Sequence, residues 1–86
     1  MDSRVAIIGI IVEQAESVET INQILHDYSQ YIIGRMGLPY RERAISVISI
    51  VLDAPQSVSA ALSGKLGRLT GVSVSTMYAK SGAANA

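Results

Sequence analysis

Aliphatic residues fill positions 5–12 almost without interruption (VAIIGIIV), and this β-branched run of eight predicts a buried strand. A polar stretch, EQAES, follows. Val18, Ile21, Ile24, Leu25 and Tyr28 then recur at helical spacing, with Glu19, Asn22, Gln23, His26 and Asp27 on the other side. They predict a helix over residues 17–29, with Ser17 as N-cap and Glu19 complementing the helix dipole. Residues 31–36 read as a second strand. Gly37, Leu38 and Pro39 are expected to end it, because proline cannot donate a ladder hydrogen bond. Residues 44–53 (AISVISIVLD) are the clearest strand in the chain. APQS closes that strand, and Pro55 suits the first turn of a second helix. The stripe of that helix is Val58, Ala61, Leu62, Leu66 and Leu69. Gly64 and Gly67 interrupt it at about 1 kcal/mol each against alanine, which calls for close packing or fraying as the reason. After Gly71, VSVSTMY at 72–78 alternates strictly, putting Val72, Val74, Thr76 and Tyr78 on one face.

The predicted order is β-α-β-β-α-β. Right-handed crossovers turn it into an α+β ferredoxin-like plait, a four-stranded antiparallel sheet with two helices on one face. The first and third strands become central and the second and fourth become edges. Residues 1–79 make this single domain, and the small, polar residues 80–86 are expected to be a disordered tail.

Parity in the central strands carries a consequence for assembly. Ile48, Ile50 and Leu52 share one face, and Ile45, Val47 and Val51 share the other. In the first strand Val5, Ile7 and Ile11 oppose Ala6, Ile8, Ile10 and Val12. Two helices cover only one side of such a sheet, so an aliphatic face is left over. A second copy of the chain packed on that face is the simplest resolution, as a dimer or tetramer.

Composition narrows the remaining choices. A chain of 86 residues leaves a thin stability margin, and without cysteine neither a disulfide nor a thiolate metal site reinforces it. Seven basic and seven acidic residues cancel, which argues against a general nucleic-acid binder. The longest apolar run, eight residues, is far too short for a membrane span. With Arg4 before it, that run also resembles a weak signal-peptide core, but cleavage there would remove the best strand. The absence of cysteine fits a cytoplasmic protein.

Candidate chemistry concentrates in GRMGLPYRER, residues 34–43, which holds Arg35, Arg41 and Arg43 beside Tyr40. Arginine forks bind carboxylate or phosphate bidentately. Arg41 and Arg43 are expected on one strand face, with Lys65 and Arg68 adding charge from the second helix. Tyr40 offers a hydroxyl or a stacking face. The competing reading is a solvated hairpin whose arginines pair with Glu42, Asp27 or an acid of a neighbouring chain. SGKLGRLTG contains no G-x-x-x-x-G-K-[ST] and is not a phosphate loop. Glu13, Glu16 and Glu19 read as a solvated acidic turn rather than a cation site.

The runs ILHDYSQYIIGRMGLPYRERAISVISIVLD and SGKLGRLTGVSVST resemble a small family provisionally named iron-only hydrogenase system regulators, over roughly residues 4–79. The resemblance implies an ACT-like domain, related also to the nickel-sensing C-terminal domain of nickel-responsive repressors, and a dimer or higher oligomer. It carries over no set of functional residues. Nickel sensors of that kind use several histidines and a cysteine. Here His26 is the one histidine, so a metal site would need neighbouring chains, and an exposed helix residue beside Asp27 is the simpler reading.

No nucleophile has a recognisable base, so the expectation is a non-enzymatic regulatory domain without metal or cofactor. It would oligomerise through its sheet and sense a small anionic or amino-acid-like effector at a subunit interface. The alternative is an assembly module for hydrogenase maturation with no small ligand. The expected ligand-binding or interface residues are Arg35, Tyr40, Arg41, Arg43 and Lys65.

Overall fold

The computed structural model describes residues 3–80. The elements are β1 (Ser3–Val12), α1 (Val18–Asp27), β2 (Ile32–Tyr40), β3 (Ile45–Pro55), α2 (Gln56–Gly67) and β4 (Val72–Tyr78). Single 3-10 turns occupy Ala15–Ser17, Ser29–Tyr31 and Arg41–Arg43. The strands pair antiparallel in the order β2-β3-β1-β4, so the expected central and edge strands are the observed ones. The tail expected over 80–86 lies outside the described residues except for Lys80.

Alternation decides what is buried. Ala6, Ile8, Ile10 and Val12 of β1 join Ile48, Ile50, Leu52 and Ala54 of β3 on the helix side of the sheet. Ile21 and Leu25 of α1 and Leu62 and Leu66 of α2 close over them. Each such aliphatic side chain contributes about 1.5–3 kcal/mol on leaving water, so this one layer holds most of the fold's stability. Val72, Val74, Thr76 and Tyr78 of β4 face the same way and are half-buried, as their alternation predicts.

Several boundaries differ from expectation, each for a physical reason. Helix α1 begins at Val18, and Ser17 occupies the N-cap position without capping. Its hydroxyl instead donates to the Thr70 carbonyl at 2.8 Å, tying the start of α1 to the turn before β4. Strand β2 does not stop at Met36 but runs on through Pro39 to Tyr40, pairing Leu38 with Val47 and Tyr40 with Ile45. An edge strand tolerates proline, because one row of its backbone groups faces solvent anyway. Ile33 is an extra residue in β2, a bulge between Ile32 opposite Leu52 and Gly34 opposite Val51. Pro55 ends β3 and stands at the N-cap of α2 rather than in its first turn. In α2 the buried line is Ser59, Leu62 and Leu66, whereas Ala61, expected in the stripe, is exposed. Leu69 lies past the helix end and is half-buried. Gly64 and Gly67 have no atom within 4 Å of where a Cβ would stand, so close packing within the chain does not explain them.

Candidate functional site

The hairpin that carries the arginines is built around one tight reversal. Arg41–Arg43 form a 3-10 turn, and Ala44 closes it in the left-handed region (φ 56°), donating its N–H to the Arg41 carbonyl at 3.1 Å. Arg41 and Arg43 therefore do not share a strand face. Both are exposed at the tip of the hairpin. Tyr40 precedes them at the end of β2, 44% exposed and on the sheet face that bears no helix.

Arg35 belongs to a different place. Alternation along β2 turns it to the helix side, opposite Ile50, about 16 Å of strand from Tyr40. There its Nη2 donates to Asn22 Oδ1 of α1 at 2.6 Å. Between α1 and β2 lies a cleft of about 420 Å³ lined by Asn22, Leu25, His26, Ser29, Ile32 and Arg35. Lys65 occupies a third place on α2, with its Nζ 5.0 Å from the centroid of the Tyr28 ring, a cation–π contact at the end of α1. The five candidate residues are thus divided among the hairpin end, the α1–β2 cleft and the packing of α2 on α1. Among the described residues Asp27 makes no ion pair with an arginine; its Oδ1 accepts from Gln23 Nε2 at 3.3 Å.

His26 and Asn22 are the cleft residues that sequence reasoning placed on a plain solvated face. Their spacing of four residues was the available signal, because it sets them one turn apart on the same flank of α1. Among the described residues no group of three or more His, Cys, Asp or Glu side chains could hold a metal ion, and Glu13, Glu16 and Glu19 form no such group.

The second distinctive surface is the bare face of the sheet. Its rows follow from the register: Leu38–Val47–Ile11–Ser73, Met36–Ser49–Gly9–Ser75 and Gly34–Val51–Ile7–Met77. Val5, Ile7, Ile11, Met36, Leu38 and Met77 are each 38–66% exposed there. Asp53, opposite Val5, is the charged residue on this face of the two central strands. At the middle of the face Gly9 has only Ser49 and Ser75 beside it, and a shallow depression of about 310 Å³ opens among Gly9, Ile11, Val47, Ser73 and Ser75.

Two helices on one side of an antiparallel sheet in the order β2-β3-β1-β4 make an α+β fold of the ferredoxin-like, ACT-like kind. The chain belongs to the TM1266-like family, provisionally described as iron-only hydrogenase system regulators, which it matches over residues 4–76. It is similar to the solved structure of an uncharacterized protein, TM1266, from Thermotoga maritima. The two share 37% sequence identity with a TM-score of 0.87, over 91% of this chain and 99% of that one. A formyltetrahydrofolate deformylase from Pseudomonas putida KT2440 shares the fold at 13% identity and a TM-score of 0.62. That match spans 85% of this chain but 28% of the enzyme's. Among curated proteins no sequence matches. No helix among the described residues is long and apolar enough to cross a membrane.

Proposed function

We propose that this chain is a non-enzymatic, cytoplasmic regulatory domain that works as a homo-oligomer joined through the bare face of its sheet. In this reading a small anionic or amino-acid-like effector shifts the assembly between states by binding them with different affinity. The observation that carries the proposal is the row of exposed aliphatic and methionine side chains on that face. An uncovered apolar surface spanning four strands favours association, because each buried CH₂ contributes about 0.8 kcal/mol. Two such faces stack about 10 Å apart when their side chains interdigitate. Absence of charge across the middle of the face means that no ion has to be desolvated when a second copy packs on it. Membership in a family described as regulators agrees with a role without chemistry of its own.

Tyr40, Arg41 and Arg43 sit at the end of β2 and in the turn after it, at the rim of this face. There they would contact an acidic group of the neighbouring subunit. Substituting Arg41 and Arg43 with alanine should weaken association only modestly, since rim charges contribute little beside a buried apolar centre. A thermal-shift panel of amino acids, nucleotides and metal ions tests the effector half of the proposal. A reproducible rise in Tm with a member of the panel supports sensing. A flat panel together with a retained protein partner from the hydrogenase maturation machinery supports the assembly module instead.

A further inference from the structure

We propose that the cleft between α1 and β2 binds a small organic carboxylate with a short aliphatic tail, and that Arg35 holds the carboxylate. This deepens the effector half of the regulatory reading and rests on it for its purpose, whereas the binding itself depends on this chain alone. The cleft, at about 420 Å³, falls in the range of sites that take small molecules. Its floor is apolar: Leu25 is buried in the core and Ile32 packs half-buried against it. Around that floor stand the Asn22 amide, the His26 imidazole, the Ser29 hydroxyl and the Arg35 guanidinium.

Arg35 is oriented but not neutralised. Its hydrogen bond to Asn22 Oδ1, at 2.6 Å, tethers the guanidinium to α1 while supplying no opposing charge. A guanidinium has five N–H donors in a fork that matches a carboxylate, so donors remain for a bidentate partner. Ser29, which also lines the cleft, brings a hydroxyl donor. A compact dianion such as phosphate would bring two charges to one guanidinium and leave the floor unused. A monocarboxylate with a branched three- or four-carbon tail satisfies both.

The test uses the full chain labelled with nitrogen-15 and titrated with 3-methylbutanoate, 3-methyl-1-butanol and inorganic phosphate at matched ionic strength. Saturable amide shifts clustered at Asn22, His26, Ser29 and Arg35 are expected with the carboxylate. The alcohol and phosphate should each bind at least about tenfold more weakly, the factor that loss of one charged hydrogen bond implies. Arg35→Gln should lower carboxylate affinity by a similar factor. Asn22→Asp, nearly isosteric, hands Arg35 an internal carboxylate and should do the same, which covers the case in which Arg35→Gln folds poorly. Absence of clustered shifts, equal binding of the alcohol, or affinity indifferent to both substitutions overturns the site. Tighter phosphate binding overturns the carboxylate assignment. Sedimentation of each sample reads the oligomer separately, so an assembled protein with an empty cleft counts against the site alone, and a monomer with a filled cleft against the assembly alone.

Discussion

Gly9 lies directly opposite Ser75 in the β1–β4 ladder, and a Cβ built on it would meet nothing nearer than the Ser75 carbonyl oxygen, at 3.9 Å. Register runs unbroken through Gly9 on both sides, to Ser49 of β3 and Ser75 of β4, so no bulge calls for it. Glycine in a central strand weakens the strand, and a common reason for it is close approach from outside. The chain itself makes no steric demand for glycine here. A glycine at this position is consistent with a side chain of a second copy seated in the depression at the middle of the bare face.

Filling that depression is therefore the sharpest substitution on the face. Gly9→Leu has room in the isolated chain and should leave its thermal stability unchanged or slightly raised. It should weaken self-association at least tenfold by holding the two faces apart, as read by sedimentation. Association that stays the same or tightens would mean that nothing enters the depression.

Charge placed beside it should act more bluntly. Ile7 is 38% exposed between Val51 and Met77, so a lysine there can extend into water in a lone chain. In an assembly the same lysine would be buried without a partner, at a cost of several kcal/mol. Ile7→Lys should yield a folded monomer, with circular dichroism unchanged and sedimentation shifted to the single-chain mass.

Inside the core, Ser59 has a fully buried hydroxyl with no hydrogen-bond partner among the described residues. Ser59→Ala removes an unsatisfied polar group and should stabilise the domain by about 1 kcal/mol. In a domain of this size that corresponds to a Tm rise of roughly 4–8 °C by calorimetry. A fall in Tm would contradict an unsatisfied hydroxyl at this position.

Two glycines should respond in opposite ways. Gly71 has φ 70°, and an added Cβ would collide with the Gln14 side chain and stand 3.1 Å from its backbone nitrogen. Gly71→Ala should cost about 2 kcal/mol or more. Gly64 faces open space in the middle of α2, so Gly64→Ala should add roughly 0.5–1 kcal/mol to stability. Denaturant unfolding reads both. A destabilising Gly64→Ala would place a partner against that helix.

Much of this architecture is legible in the residues before any folding is considered. Alternation in Val72–Tyr78 and the two apolar parities of β1 and β3 prescribe a plait with one uncovered greasy face, which is what the strands form. The end of β2 is not legible, because proline forbids a central strand but not an edge, and edge position is a tertiary fact. That one boundary grouped the arginines. With β2 ending at Met36, Arg35, Arg41 and Arg43 look like one cluster. With β2 reaching Tyr40, alternation sends Arg35 to the helix side and Tyr40 to the bare side, and the two tip arginines go into a turn. Ser17 misled for a similar reason: a residue suited to capping its own helix found a stronger claim on its hydroxyl at Thr70, distant in sequence.

Self-association through the bare face is the claim on which the regulatory reading depends, and sedimentation of the unmodified chain over a dilution series addresses it most directly. A dimer or tetramer that persists to low micromolar concentration is the predicted result. A stable, well-folded monomer across the same range would contradict it.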